Sequence, residues 1–184
     1  NNNDLAYNVC YRSIIKNVSD PNRIKIHKLD RNRMIEEKMY WRNDTGVDKG
    51  SNNFTYTKFF VPYLNNFKGY AIFCDSDFIW NCDVLELLEV FKLNQDKPIN
   101  VVKHKCYMNS ECLDSIKMDG QLQNWYPRKN WSSLMVFNCS HPDIKNLTLE
   151  NVNNKSPKWL HRMEYCDDDN IGSLPIDYNY LVNY

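Results

Sequence analysis

The sequence predicts an α/β fold with a mainly parallel central sheet flanked by helices. Three observations carry that reading. Apolar runs of strand length occur at Tyr70 to Cys74, Ile99 to Lys103 and Ser132 to Phe137. Segments with apolar residues at three- and four-residue spacing, Leu5 to Lys16 and Val84 to Phe91, accompany them. Alternating strands and helices are the pattern of folds in which helices pack on a mostly parallel sheet. The run Tyr70-Ala71-Ile72-Phe73-Cys74 lacks polar alternation, so it reads as a central strand buried on both faces.

Each element has a local reason. Leu5, Val9 and Ile14, with Cys10 or Tyr11, mark one helix face, and Asp4 is its N-cap. Asp20-Pro21-Asn22 is a turn. Residues 24–29 alternate weakly and suggest a short strand. Residues 30–53 are polar, carry Gly46 and Gly50, and read as a loop with one helical turn. From Phe54 to Asn65, Tyr56, Phe59, Phe60, Tyr63 and Leu64 fall at helical spacing, and Pro62 shortens or kinks that helix. Asp83 caps the helix of Val84, Leu87, Leu88 and Phe91, with Glu86 as the capping-box partner. Asp143 to Val152 and Pro157 to Tyr165 read as helices. No internal repeat is present.

Composition bounds the class. A chain of 184 residues, 42% hydrophobic and 14% aromatic, supports one domain with a real core and excludes a disordered chain. Twenty-three basic residues balance 23 acidic ones without a basic stripe, which argues against a nucleic-acid partner. No apolar run reaches membrane-spanning length, and no signal peptide is recognisable at the start. Seven cysteines without a Cys-x-x-Cys read as free thiols rather than disulfides or zinc ligands. Seven Asn-x-Ser/Thr sites occur, but those at Asn130 and Asn138 flank a predicted core strand, where a glycan does not fit. Together these features predict a cytoplasmic protein.

The apolar run 70–74 ends in Asp75-Ser76-Asp77. In open α/β sheets, ligands bind beyond the carboxyl ends of the strands. Two carboxylates there suit a hard divalent cation, Mn²⁺ or Mg²⁺, which takes oxygen ligands and neutralises a diphosphate. The structural alternative is that Asp75 or Asp77 only shapes a turn or caps a helix. Ser76 either touches a ribose or faces solvent.

Four stretches in the same order resemble glycosyltransferases of the GT-A, Rossmann-like fold, those related to glycosyltransferase family 8. They are Phe54 to Leu64, Gly69 to Asp77, Tyr126 to Cys139, and Leu160-His161-Arg162 leading into Asp167 to Pro175. Leu5 to Ile14 looks like the first helix of that fold. The resemblance implies a metal-dependent transferase, possessing a nucleotide-diphosphate sugar donor (a UDP-sugar) and a glycan acceptor, and moving a hexose or deoxyhexose with retention. It assigns Asp75 and Asp77 to the metal. Lys58 stands where an arginine is usual, to hold the diphosphate or orient an aspartate, with a solvated helix lysine as the alternative. Ser132 and Ser133 become sugar contacts or backbone caps, Gln121 and Gln123 line the site, and Asp168 or Asp169 becomes the acid facing the reacting carbon. The alternative for Asp167 to Asp169 is a solvated cap. Two features of such enzymes find no match: a strand before the first helix, and a third metal ligand, often histidine, after the last.

Two rival readings remain. A strand followed by Asp-x-Asp also opens haloacid-dehalogenase-like phosphatases, where the first aspartate is the nucleophile. Those usually carry threonine or valine two residues after the second aspartate, where this chain has Ile79. The other rival is a non-catalytic domain that binds a sugar nucleotide or glycan.

Overall fold

The computed structural model describes residues 2–43, 55–92, 94–104 and 128–181. Four strands, β1 (Tyr70–Cys74), β2 (Ile99–Val102), β3 (Leu134–Asn138) and β4 (Ile171–Leu174), form one sheet in the order β1-β3-β2-β4. Among the described residues, six α-helices pack with it: α1 (Asn2–Asn17), α2 (Arg31–Glu36), α3 (Val61–Leu64), α4 (Val84–Lys92), α5 (Leu149–Asn154) and α6 (Pro157–His161).

The fold is α/β, but the sheet is mixed rather than mainly parallel. β3 pairs antiparallel with both β1 and β2, and only β2 and β4 pair in parallel. β1, β2 and β4 still run in one direction, with β3 reversed between β1 and β2. The carboxyl ends of three strands and the amino end of β3 therefore lie along one sheet edge. β1 is also not the doubly buried central strand expected. Its one described neighbour is β3, Tyr70 is exposed, and Ala71 to Cys74 are half-buried. An apolar run reports that water is excluded; it does not report a strand's direction or its neighbours.

Side chains alternate across the sheet with the two-residue period of strands. On one face Phe73, Ile99, Val101, Met135, Phe137 and Ile171 meet Tyr56, Phe59, Phe60, Leu147, Val152, Leu160 and Met163. On the other, Ile72, Cys74, Val102, Leu134, Val136 and Leu174 meet Cys10 and Ile14 of α1, Val84, Leu87 and Phe91 of α4, and Trp80. Each fully buried Leu, Ile or Phe contributes about 1.5–3 kcal/mol. The two cores pin the register of all four strands, because a slip of one residue would exchange the faces.

The helices follow local signals. Asp30 caps α2, accepting from the N–H groups of Asn32 and Arg33. Asp83 caps α4, accepting from the Leu85 N–H at 2.9 Å. Asp4 lies inside α1 rather than before it and pairs with Lys28. Pro62 does shorten its helix: a 3₁₀ turn at Thr57–Phe60 leads into the four-residue α3. The helix expected over Asp143 to Val152 is two pieces, a 3₁₀ turn at Ile144–Asn146 and then α5, which Thr148 caps. Pro157 to Tyr165 is helical only to His161, and residues 24–29 form no strand.

Among the described residues, no helix is long and apolar enough to cross a membrane. Cys10, Cys74, Cys82, Cys139 and Cys166 are all free thiols. The side-chain nitrogen of Asn138 donates to the Gln95 carbonyl at 3.1 Å.

Candidate functional site

The sheet edge described above carries an acidic corner. Asp75 follows β1 directly, and its N–H donates to the Ser133 carbonyl at 2.9 Å, one step past the last ladder pair. The Phe78 N–H donates back to the Asp75 carbonyl at 3.2 Å, closing Asp75-Ser76-Asp77-Phe78 into a tight turn. Aspartate favours the first position of such turns, so the turn reading and the binding reading of this motif coexist. Ser76 and Asp77 are exposed at the tip.

Lys58 organises the corner. It sits on the 3₁₀ turn Thr57–Phe60, whose neighbours Phe59 and Phe60 are fully buried and fix its position. The ammonium donates to Asp75 Oδ1 at 2.8 Å and to the Ser132 carbonyl at 3.1 Å, and lies 5.0 Å from the centre of the Phe73 ring. The lysine side chain is 9% exposed and that of Asp75 35%, so the pair straddles the boundary between core and solvent. Lys58 is thus paired with an aspartate of the motif and is not the solvated helix lysine of the alternative reading.

Asp77 has a carboxyl raised above the usual range. Partial loss of its water is the larger cause and the nearby charge of Asp75 the second, offset in part by its own backbone N–H and by Lys58. Two acids held together with a single buried cation form an oxygen-rich, negatively biased donor set. That chemistry fits a hard cation such as Mn²⁺ or Mg²⁺, which accepts two carboxylates and completes its shell with water or phosphate oxygens. Among the described residues, no group of three His, Cys, Asp or Glu side chains forms a fuller metal site.

Beside the turn runs an open groove of about 340 Å³. Ser76, Asp77, Phe78 and Ile79 form one wall and Leu5, Ala6 and Val9 of α1 the other. The lining carries one carboxylate, that of Asp77, among mainly apolar side chains, a composition suited to an amphipathic ligand. The contribution of α1 was not legible in the sequence, where Leu5 and Val9 count as core positions. They are 67% and 44% exposed, while Cys10 and Ile14 face the sheet.

The other expected site residues separate into two groups. Ser132 and Ser133 reach the corner through their carbonyls, which accept from Lys58 and Asp75. The Ser132 hydroxyl is buried, 3.5 Å from Nδ1 of His161, so it does not face the groove. His104 lies on the same edge, buried, and its carbonyl accepts from Nε1 of Trp131 at 3.0 Å. Burial lowers the pKa of its imidazole. Gln121 and Gln123 lie outside the described residues.

Asp168 and Asp169 are not brought to this corner. They stand before β4, at the opposite end of the sheet from the end of β1. Ala71, Phe137, Ile99 and Ile171 form one row across the sheet. Asp75 follows the carboxyl end of β1, whereas Asp169 sits in the 3₁₀ turn Asp168–Asn170 that precedes the amino end of β4. Asp168 is 80% exposed and pairs with Arg128. The Asp169 carbonyl accepts from Lys97 at 3.0 Å. Asp167 opens the 3₁₀ turn Asp168–Asn170 without a side-chain cap bond. The acidic run is locally a solvated turn before a strand.

Comparison with known proteins adds one relative. No family model matches the chain, and no solved structure matches it. Over 181 residues the chain is 37% identical to a protein of Arabidopsis thaliana described as "Protein CDI". The match covers 98% of this chain and 66% of that protein, so the chain spans just under two thirds of its relative's length.

Proposed function

We propose that the chain is the donor-binding domain of a metal-dependent glycosyltransferase of the GT-A type. It uses a nucleotide-diphosphate sugar, a UDP-sugar, and transfers a hexose or deoxyhexose to a glycan acceptor. The observation that carries the reading is the corner at the end of β1, where Lys58 holds one oxygen of Asp75 and leaves its second oxygen and Asp77 for a cation. The resemblance of the segments around Lys58, Asp75 and Ser132 to such enzymes supports it, because these are the residues that meet at this corner. Retention of configuration rests on that resemblance alone.

The chemistry follows from charge. A diphosphate cannot approach Asp75 and Asp77 without a counter-ion, and a divalent cation held by the pair neutralises the leaving diphosphate. Lys58 holds Asp75 in position and keeps the β1 end joined to the turn that leads into β3. Ser76 and Asp77, at the exposed tip, present their polar groups to whatever fills the groove. Asp168 and Asp169 take no part in this reading. The free thiols support a cytoplasmic location, since such thiols persist in a reducing compartment.

Calorimetry with UDP, with and without Mn²⁺ or Mg²⁺, tests the proposal. UDP binds with the metal and loses at least tenfold in affinity with chelator. Asp75→Asn and Asp77→Asn each remove the metal effect while the fold persists. Equal UDP affinity with and without chelator would overturn the metal role. Hydrolysis or transfer from a panel of UDP-sugars then identifies the donor.

A further inference from the structure

Two thiols meet directly behind the acidic turn. Cys10, on the buried side of α1, and Cys74, the last residue of β1, have sulfurs 3.9 Å apart across 64 positions of chain. Cys10 is buried and Cys74 half-buried. Both backbones are fixed. Cys74 sits in register with Leu134, and Asp75 continues the tie through the Ser133 carbonyl. α1 is held by Ile14 in the same apolar cluster and by the Asn17 amide, which donates to the Trp80 carbonyl at 2.7 Å. The Ser13 hydroxyl accepts from the Trp80 N–H at 2.9 Å. A disulfide needs sulfurs about 2.05 Å apart. Rotation of the two side chains and about 2 Å of approach would close this pair.

We infer that Cys10 and Cys74 are a peroxide-sensitive dithiol site, oxidised to a disulfide that fastens α1 to the end of β1. One of the two sulfurs attacks one oxygen of hydrogen peroxide. The O–O bond breaks, the leaving hydroxide takes the thiol's proton as water, and that cysteine becomes a sulfenic acid. The other sulfur, 3.9 Å away in the reduced pair, then attacks it, the S–O bond breaks, and a second water leaves with the second thiol's proton. Two electrons pass from the thiols to the peroxide. Two other thiols are engaged elsewhere. The Cys139 sulfur faces the Asn65 amide at 3.8 Å, and the Cys166 thiol donates to the Met163 carbonyl at 3.4 Å.

The bridge touches the groove at both walls. Cys10 follows Val9, which lines one wall, and Cys74 precedes the turn whose Ser76 and Asp77 line the other. Oxidation therefore fixes the groove's width whatever ligand it takes, and the inference does not rest on the proposed transferase activity.

Peroxide treatment of the reduced, folded chain, followed by alkylation and non-reducing peptide mapping, tests it. The expected product is a Cys10–Cys74 cross-linked peptide, lighter by two hydrogens than the reduced pair and lost on dithiothreitol treatment. In Cys10→Ser and in Cys74→Ser the remaining thiol of the pair has no resolving partner, so dimedone labelling at that position rises severalfold over wild type in at least one of the two variants. The melting temperature rises on oxidation of the wild type and returns on reduction, and Cys82→Ser behaves like wild type. The inference is overturned if peroxide carries either cysteine of the pair to sulfinic acid without the cross-link. It is equally overturned if bridges to other cysteines dominate the map of the folded chain. The wild-type map decides even if the serine variant fails to fold.

Discussion

Lys58 donates to Asp75 at 2.8 Å while its other contact, at 3.1 Å, is the Ser132 carbonyl. One buried ammonium thus joins the end of β1 to the turn that leads into β3. Its loss leaves a carboxylate and a carbonyl without their donor, and hydrogen bonds to charged groups contribute roughly 1.5–3 kcal/mol. Lys58→Met should therefore destabilise the fold by about 2 kcal/mol in urea denaturation, with partial relief because Asp75 remains 35% exposed to water. Lys58→Met should also weaken metal-dependent UDP binding, because Asp75 loses its fixed orientation. Unchanged stability and unchanged UDP binding in this variant would remove Lys58 from the site.

The raised carboxyl of Asp77 has a consequence for pH dependence. An acid whose folded pKa lies above its unfolded value binds its proton more tightly in the folded state. Stability contributed by Asp77 is then greatest below the unfolded pKa and is lost as pH rises through the folded one. In chelator, Asp77→Asn should raise the urea midpoint at neutral pH relative to wild type, and the gain should vanish at acid pH. With Mn²⁺ present the order should reverse at neutral pH, because the metal stabilises only the chain that binds it. A urea midpoint for Asp77→Asn that tracks wild type at every pH would contradict this account.

Gly172 is required by its neighbour rather than by its own backbone. A Cβ at that position would lie 1.9 Å from Oδ1 of Asn100, which is fully buried opposite it across the β2–β4 ladder. Gly172→Ala should cost about 1–3 kcal/mol, the usual range for overpacking. Asn100→Ala in the same chain should recover most of that loss, since it removes the amide that the methyl strikes. A double-mutant cycle with no coupling between the two positions would show the clash to be relieved elsewhere.

Asp168 separates the corner from the acidic run. Its pair with Arg128 is solvent-exposed on the aspartate side, and exposed ion pairs contribute about 0–1 kcal/mol. Asp168→Asn should shift stability by less than about 1 kcal/mol and leave metal-dependent UDP affinity unchanged. A tenfold loss of UDP affinity in this variant would bring the run back to the binding site.

The sequence alone determined the elements whose signals are local. The apolar runs marked β1, β2 and β3, Asp83 marked the start of α4, and Asp75 and Asp77 were recognisable as a pair at a strand's carboxyl end. β4 was not legible. Its four residues include Gly172 and follow three acids, and they become a strand only because β2 offers a parallel ladder. The tertiary structure likewise decided that β3 runs against its neighbours, because an apolar run has no direction. It decided that α1 turns Leu5 and Val9 toward the groove, and that Lys58 meets Asp75 and Ser132 from segments 17 and 74 positions away. It also decided that Asp168 and Asp169 stand at the far end of the sheet. Strand direction and packing, which act between residues distant in the chain, set which of these charges share one corner.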